Sequence, residues 1–375
     1  MKKNILVFVL AGVLFLVFGG LSKPASAQYI KDDTWKPVQM SGGMGFKAGI
    51  PIYMFNDIKI DYPSDLATDS AGNIYVADVR KDRILKLNPS GTLIKSWGEA
   101  GEGNTQFNSP FGIAVDSINV YVADRDNHRI KIFGLNGNFI TSFGTKREWG
   151  GDGIGEKQLW YPADVAVDSI GNVYVVMSSV LESSEPKKQF YCVKKFSPPS
   201  YNEVMALDCE ERDLISPAET EFVDGEFAGA APTTIAVDVD GVIYVGAGNY
   251  VMIFRPDGSY VDQFGGITTF PGQNGRFNGV KGLYVSGKKI FVTDYYGDRF
   301  QRCILMSTGL AAGYICESYG AGIVDGPFGI AVDPSGNVFL ATHVKDSVGA
   351  DSGDVVKFKL IQFKAPPLRG YIRGG

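Results

Sequence analysis

The chain has 375 residues, 45% hydrophobic and 21% charged, with 47 Gly, 24 Phe and 18 Tyr but only two His and four Cys. Its 41 acidic residues outnumber 36 basic ones, for a net charge of −5, so it lacks the basic stripe that a phosphate backbone needs and nucleic-acid binding is excluded. A length and turn-rich composition of this kind fit two or three ordinary domains, or one large all-β architecture of repeated units.

Residues 1–27 read as an export signal. Lys2 and Lys3 make a positive start, an apolar run extends from Ile5 to Phe18, and Ala25-Ser26-Ala27 offers small residues for cleavage. The run falls short of the roughly 20 apolar residues of a bilayer span, and an uncleaved anchor is the other reading. No Cys follows it to carry a lipid. Removal of Lys2, Lys3 and Lys23 leaves the chain more acidic still, and no later segment could span a membrane. The expected destination is the periplasm or the extracellular space.

Beyond an arm over 28–62, one pattern recurs. LATDSAGNIYVAD (66–78) is followed by IAVDSINVYVAD (113–124), AVDSIGNVYVV (166–176), IAVDVDGVIYVG (235–246), LYVSGKKIFVTD (283–294) and IAVDPSGNVFLA (330–341). The marker Asp stands at 69, 116, 168, 238 and 333, with Ser286 in its place in the fifth copy. Most steps are 47 to 52 residues and one is 70, the length of a four-stranded propeller blade with its loops. Ile-Ala-Val and Val-Tyr-Val are short β-branched and aromatic runs suited to buried strands. The intervening Asp-x-x-Gly-Asn supplies a turn-closing acceptor and residues that tolerate positive φ. A third strand follows, as in RILKL (83–87) and RIKIF (129–133). A fourth follows that, as in TLIKSWG (92–98), NFITSFG (138–144) and SYVDQFG (259–265).

DRDNHRIKIF (124–133) resembles the signature of NHL repeats, and DVRKDRILKL (78–87) and DYYGDRFQRC (294–303) are weaker copies. The resemblance covers about residues 63–360 and implies an all-β, six-bladed β-propeller of NHL-repeat type over 63–375. A seventh blade built from both termini is the alternative count. The last copy has a third strand at DVVKFKL (354–360) but no evident fourth, so IYMFN (52–56) in the N-terminal arm is expected to supply it and close the ring.

Cys192 and Cys209 flank the third-to-fourth-strand hairpin of blade 3, and Cys303 and Cys316 that of blade 5. An exported chain meets oxidising conditions, so Cys192–Cys209 and Cys303–Cys316 disulfides are expected. There is no C-x-x-C-H for covalent haem and no C-x-x-C for zinc or redox chemistry.

Among NHL-like propellers, the amidating lyases hold zinc with three His. This chain has only His128 and His343, so it cannot build that site from its own residues. Lactonase-like propellers hold calcium near the axis through Asp, Asn and Glu. The repeated Asp residues here sit in turns, where a structural role suffices, and Asp238-x-Asp240-Gly241 lacks the rest of a calcium loop. His128 lies within the NHL motif, while His343 falls in what reads as the irregular loop of blade 6. There is no G-x-S-x-G, no H-E-x-x-H and no phosphate-cradling Gly loop. No catalytic residue and no metal ligand is assigned.

Departures from the repeat point instead to contact surfaces. Blade 3 carries MSSVLESSEPKKQ (177–189) and EERDLISPAETEFVDGEFAGA (210–230), and blade 6 carries HVKDSVGADSGD (343–354), all on one face. The second insertion gathers Glu210, Glu211, Asp213, Glu219, Glu221, Asp224 and Glu226 against Arg212. Arg125 and Asp126 of blade 2, Tyr295 and Tyr296 of blade 5, and His343 belong to the same face. Long loops on a rigid scaffold are where binding commonly resides. These residues are the candidate partner-binding set, the acidic loop steering a basic patch and the Tyr pair serving as anchors.

In size, export and want of C-x-x-C-H the chain is similar to the haem-free propeller subunits of hydrazine synthases, anammox assemblies that make hydrazine from nitric oxide and ammonium. That likeness implies no cofactor on this chain, haem c on multihaem cytochrome-type partner subunits, and, in an anammox bacterium, residence in the anammoxosome lumen. The competing readings are a stand-alone metal-dependent propeller enzyme of lactonase or lyase type, and a peptide- or glycan-binding module.

Overall fold

The computed structural model describes residues 28–34, 60–146, 157–181, 188–213, 231–267, 273–306, 313–321, 323–345 and 351–361. The chain divides into a compact unit of Tyr29–Leu360 and a second unit of the two termini, of which only Gln28 and Ile361 are described. Tyr29–Leu360 is an all-β propeller of six four-stranded sheets with almost no helix.

Blade 1 comprises Pro63–Thr68, Ile74–Asp78, Arg83–Leu87 and Leu93–Trp97. Blade 2 comprises Pro110–Val115, Asn119–Asp124, Arg129–Gly134 and Phe139–Phe143. Blade 3 has Pro162–Val167, Val173–Leu181, Lys188–Ser197 and Asn202–Asp213. Blade 4 has Pro232–Val237, Ile243–Ala247, Tyr250–Phe254 and Tyr260–Gly265. Blade 5 has Val280–Ser286, Lys289–Asp294, Arg299–Met306 and Gly313–Tyr319. Each of these sheets is antiparallel in chain order, inner strand to outer.

Blade 6 differs. Its inner three strands are Pro327–Val332, Val338–Lys345 and Asp351–Ile361, and its outermost is Gln28–Lys31. The segment 52–56 expected in that place lies outside the described residues. The reason for the earlier segment's position is visible at Tyr29. Its ring is buried edge-on against Phe291, Phe300 and Tyr319 of blade 5, at centroid distances of 6.2, 5.8 and 5.0 Å. Blade 6 also packs on blade 1, where Phe339, Ala341 and Val355 meet Leu66, Val76 and Leu85 in one buried cluster.

The described parts of two regions expected to be loops are strand. The blade 3 hairpin is drawn out into strands of 9, 10 and 12 residues, so Glu210, Glu211 and Asp213 are ladder residues opposite Tyr191, Phe190 and Lys188. Glu219, Glu221, Asp224 and Glu226 lie outside the described residues. In blade 6, His343 is a ladder residue opposite Gly353, not part of a loop. The cause is the same in both places. Continuing an existing hairpin pairs the backbone groups of a polar segment, whereas a loop would leave them to water.

The repeated Asp closes the turn between the first two strands in every blade that has it. In blade 1, Asp69 Oδ1 accepts the amides of Ala71 and Asn73, and Oδ2 accepts Asn73 Nδ2 and the Tyr75 hydroxyl. Asp168 with Asn172 and Tyr174 repeats this arrangement, and Asp238 with Tyr244 keeps most of it. Burial, reinforced by the nearby Asp238 carboxylate, pushes the Tyr244 hydroxyl up to about 12.

A second Asp ends the second strand of blades 1, 2 and 5. Asp78, Asp124 and Asp294 are fully buried and accept Nε of Arg83, Arg129 and Arg299 at 2.8, 2.8 and 2.7 Å. Each also accepts an amide from the approach to its own blade's inner strand, from Asp61, Asn108 and Asn278 respectively. A one-turn 3₁₀ helix follows each Asp and ends on a left-handed residue: Asp82, His128 or Asp298. That residue reaches the next blade, accepting the amide of Ser109, Tyr161 or Gly326. His128 is therefore an inter-blade acceptor through Nδ1, occupying the place that Asp takes elsewhere.

Both expected disulfides are present. Cys303 faces Cys316 directly across the two outer strands of blade 5, and Cys192 meets Cys209 across those of blade 3, where Asp208 forms a bulge with φ of 48°. Replacing Cys303 and Cys316 together by Ser should lower unfolding free energy by about 3 kcal/mol, the chain-entropy value for so short a loop; denaturant melts check this. Arg299→Met leaves the Asp294 carboxylate buried without its partner, a loss of about 3–5 kcal/mol. Arg83→Met should cost less in the same melts, because Arg83 is 21% exposed against 3% for Arg299.

Candidate functional site

The six inner strands surround an axial cavity of about 150 Å³, walled by Leu66, Ile113, Val165, Ile235, Leu283 and Ile330 and their neighbours. One position of the inner strand decides its chemistry: Asp65, Gly112, Asp164, Thr234, Gly282 and Gly329 in blades 1 to 6. The register shifts just before or across this position in every blade, so the side chain can turn toward the neighbouring strand. Gly is required beside each Asp. A Cβ on Gly112 would lie 2.5 Å from the Asp164 Cα, and one on Gly329 would lie 2.5 Å from the Asp65 Cα.

Asp65 Oδ2 accepts the Ile113 amide of blade 2 at 3.0 Å, and Asp164 Oδ2 accepts the Ile235 amide of blade 4 at 2.9 Å. Asp164 Oδ1 also accepts the Val165 amide at 2.7 Å. The two carboxyl groups are within hydrogen-bonding reach of one another, and Thr234 bonds to Asp164. Burial, then the Asp164 charge, holds Asp65 well above the usual carboxylate range. Burial also pushes Asp164 up to about 6, against the opposing pull of its donors. The two acids therefore titrate as a coupled pair, each carboxyl holding its proton more tightly than an isolated carboxylate would.

Sequence reasoning did not single out this pair. Nor does it supply a metal cage. Calcium takes 6–8 oxygen ligands, while the axis offers two carboxylates already engaged with backbone amides, one Thr, and Gly at the other three positions. Among the described residues no cluster of three or more His, Cys, Asp or Glu is placed to hold a metal ion.

Above the carboxyl pair, on the face that carries the 3₁₀ turns, aromatic rings crowd the channel mouth. Phe111 of blade 2 meets Phe328 of blade 6 edge to face at 5.6 Å. His343 stacks on Phe328 at 4.8 Å and on Tyr62 at 3.8 Å, and its Nε2 lies 2.8 Å from the Pro63 carbonyl of blade 1. Tyr295 abuts Phe328 at 5.9 Å. Arg125 lies over Phe111 at 4.9 Å and the Lys281 amine over Phe328 at 5.7 Å.

The structure thus gathers Arg125, Tyr295 and His343 of the expected set at one mouth. Asp126 accepts the Ser109 hydroxyl at 2.7 Å at the edge of this group. Tyr296, 68% exposed, packs on Tyr295. His343 is buried and tied to blade 1, which is a ring-closing position. Sequence reasoning missed Phe111, Phe328 and Lys281. Their signal was present, since the residue after the opening Pro or Val is Ser64, Phe111, Ala163, Thr233, Lys281 and Phe328 around the ring.

With this geometry in place, comparison with known proteins is informative at one repeat. The family model described as "NHL repeat" matches residues 107–133. These residues form an NHL repeat. They contain the Asp124–Arg129 pair and the His128 contact to blade 3. NHL repeat-containing protein 3 of Homo sapiens is 35% identical over 82 residues, covering 21% of this chain and 24% of that protein. Peptidyl-glycine alpha-amidating monooxygenase A of Xenopus laevis is 38% identical over 87 residues, covering 21% of this chain and 9% of that one. The matches span a quarter or less of these relatives' length. A solved streptogramin B lyase structure aligns with 82% of this chain and 96% of its own at a TM-score of 0.48 and 11% identity.

The carboxyl pair makes stability depend on pH. A folded-state value raised from 3.8 to about 6 for Asp164 means that its contribution is full below about pH 4 and is lost as pH rises through 6. Urea melts of the wild type should show this loss between about pH 4 and pH 7. Asp164→Asn, which keeps a carbonyl acceptor and cannot ionise, should show a shallower one.

Proposed function

We propose that this chain is a non-catalytic propeller subunit that organises an exported multi-subunit complex. The observation that carries the reading is an apolar arc on the face opposite the aromatic mouth. Ile118, Ile170 and Val239 occupy the turn after the repeated Asp in blades 2, 3 and 4 and are 67%, 76% and 75% exposed. Polar residues are the usual occupants of such turns, and one large aliphatic side chain from each of three successive blades gives this face apolar surface that a partner could cover.

The axis supports the same reading. Substrate pockets run to about 300–1,000 Å³, well above the axial cavity, and its acids are engaged in holding inner strands together. The two disulfides suit an oxidising compartment. The finer proposal is a redox assembly of hydrazine synthase type. There, haem c on multihaem partner subunits would join nitric oxide and ammonium into hydrazine while this chain positions those subunits.

Purification from the native cells, with identification of everything recovered, tests both levels. The proposal expects a heteromeric particle containing c-type cytochrome subunits. Partners without haem would retain the scaffold and remove the hydrazine synthase assignment. A monomer with turnover of its own would overturn both.

A further inference from the structure

We propose that the aromatic mouth is a binding site for a carboxylate carried on an apolar, ring-bearing body, held between Arg125 and Lys281 over the Phe111–Phe328 pair. The two cations are the starting point. Arg83, Arg129 and Arg299 each have a buried Asp partner. Arg125 and Lys281 have no carboxylate partner among the described residues.

The nearby acids are already engaged. Asp82 accepts the Ser109 amide, Asp126 the Ser109 hydroxyl, and Asp298 the Gly326 amide. Arg125 Nε is buried without a hydrogen-bond acceptor, and its guanidinium has the Phe111 face beneath it. Lys281 is mostly withdrawn from water, with no compensating anion, so burial alone lowers its affinity for the proton.

An unpaired, desolvated cation is costly. Lys281 stands at a ring position where the other five blades hold Ser, Phe, Ala, Thr and Phe, so the repeat does not demand it. A carboxylate would supply the missing acceptor for Nε and the missing counter-charge for the amine, both in a partly dry setting where charge-assisted bonds are strong. Phe111, Phe328 and Tyr295 would receive the ligand's ring edge to face. Two sources carry this chemistry: a small aromatic acid, or a chain terminus ending in an aromatic residue.

The site does not depend on the docking role, because the isolated chain should bind. The probes are benzoate, its neutral analogue benzamide, and acetyl-Gly-Gly-Phe with a free or an amidated C-terminus, titrated calorimetrically into the purified full chain. Benzoate should bind, and benzamide should be weaker by about tenfold or more, the loss of one charge-assisted bond. Arg125→Gln and Lys281→Met should each reduce benzoate affinity by a similar factor, with melting temperatures near wild type because neither side chain makes a hydrogen bond or ion pair among the described residues. Added salt should weaken the charged probes alone. Tighter binding of the free peptide than of benzoate would assign a chain terminus, and the reverse a small acid. Absence of benzoate binding, equal binding of benzamide, or indifference to both substitutions would overturn the site whether or not the chain assembles with partners.

Discussion

Every inner strand of a ring of sheets has one edge with no neighbour in its own sheet, and that edge faces an axis with room for few water molecules. Its amides and carbonyls need partners, and this chain supplies them from side chains of the inner and second strands. Asp65 and Asp164 accept the Ile113 and Ile235 amides. Thr233 donates to Val280, Thr293 to Phe328, and Thr68 to Val332, each across a blade boundary. The polar residues at the centre are thereby used in holding the wheel together. The apolar clusters between blades, each combining residues of two neighbouring sheets, add the non-directional part of the same adhesion.

That use of the axis shapes what the molecule can do. Side chains engaged with backbone edges are poor candidates for chemistry on a substrate, and the variable elements lie at the two ends of the barrel of inner strands. One end carries 3₁₀ turns pinned by buried Asp–Arg pairs, with aromatic rings and the Arg125 and Lys281 cations at its centre. The other carries tight Asp turns, three of which present an aliphatic residue to solvent. A rigid core with two differently furnished faces suits a subunit that meets several neighbours.

Much of this was legible in the sequence because its causes are local. Ile-Ala-Val, Asp-x-x-Gly-Asn and Val-Tyr-Val specify strand, turn and strand within about a dozen residues, and six spaced copies imply a closed ring. The cysteine pairs could be read because each spans a single hairpin. The carboxyl pair could not, since Asp65 and Asp164 come from blades 1 and 3 and meet only once Gly112 lets them pass over blade 2. The outermost strand of blade 6 was misplaced for a related reason. IYMFN (52–56) reads as a short strand and QYIK (28–31) carries no such signal, because the buried site for Tyr29 among Phe291, Phe300 and Tyr319 exists only in the folded wheel. The extended hairpin of blade 3 read as loop because MSSVLESSEPKKQ is polar, whereas backbone pairing, indifferent to side-chain polarity, carries the strands onward.

The wheel depends on the axial carboxyls serving as partners for open strand edges. Site-resolved hydrogen exchange at the Ile113 and Ile235 amides, in the wild type and in the Asp65→Ala and Asp164→Ala variants, addresses it directly. Protection in the wild type should be as strong as in the middle of the blade ladders, and should be lost at Ile113 in the first variant and at Ile235 in the second. Rapid exchange of both amides in the intact protein, or protection unchanged by either substitution, would contradict it.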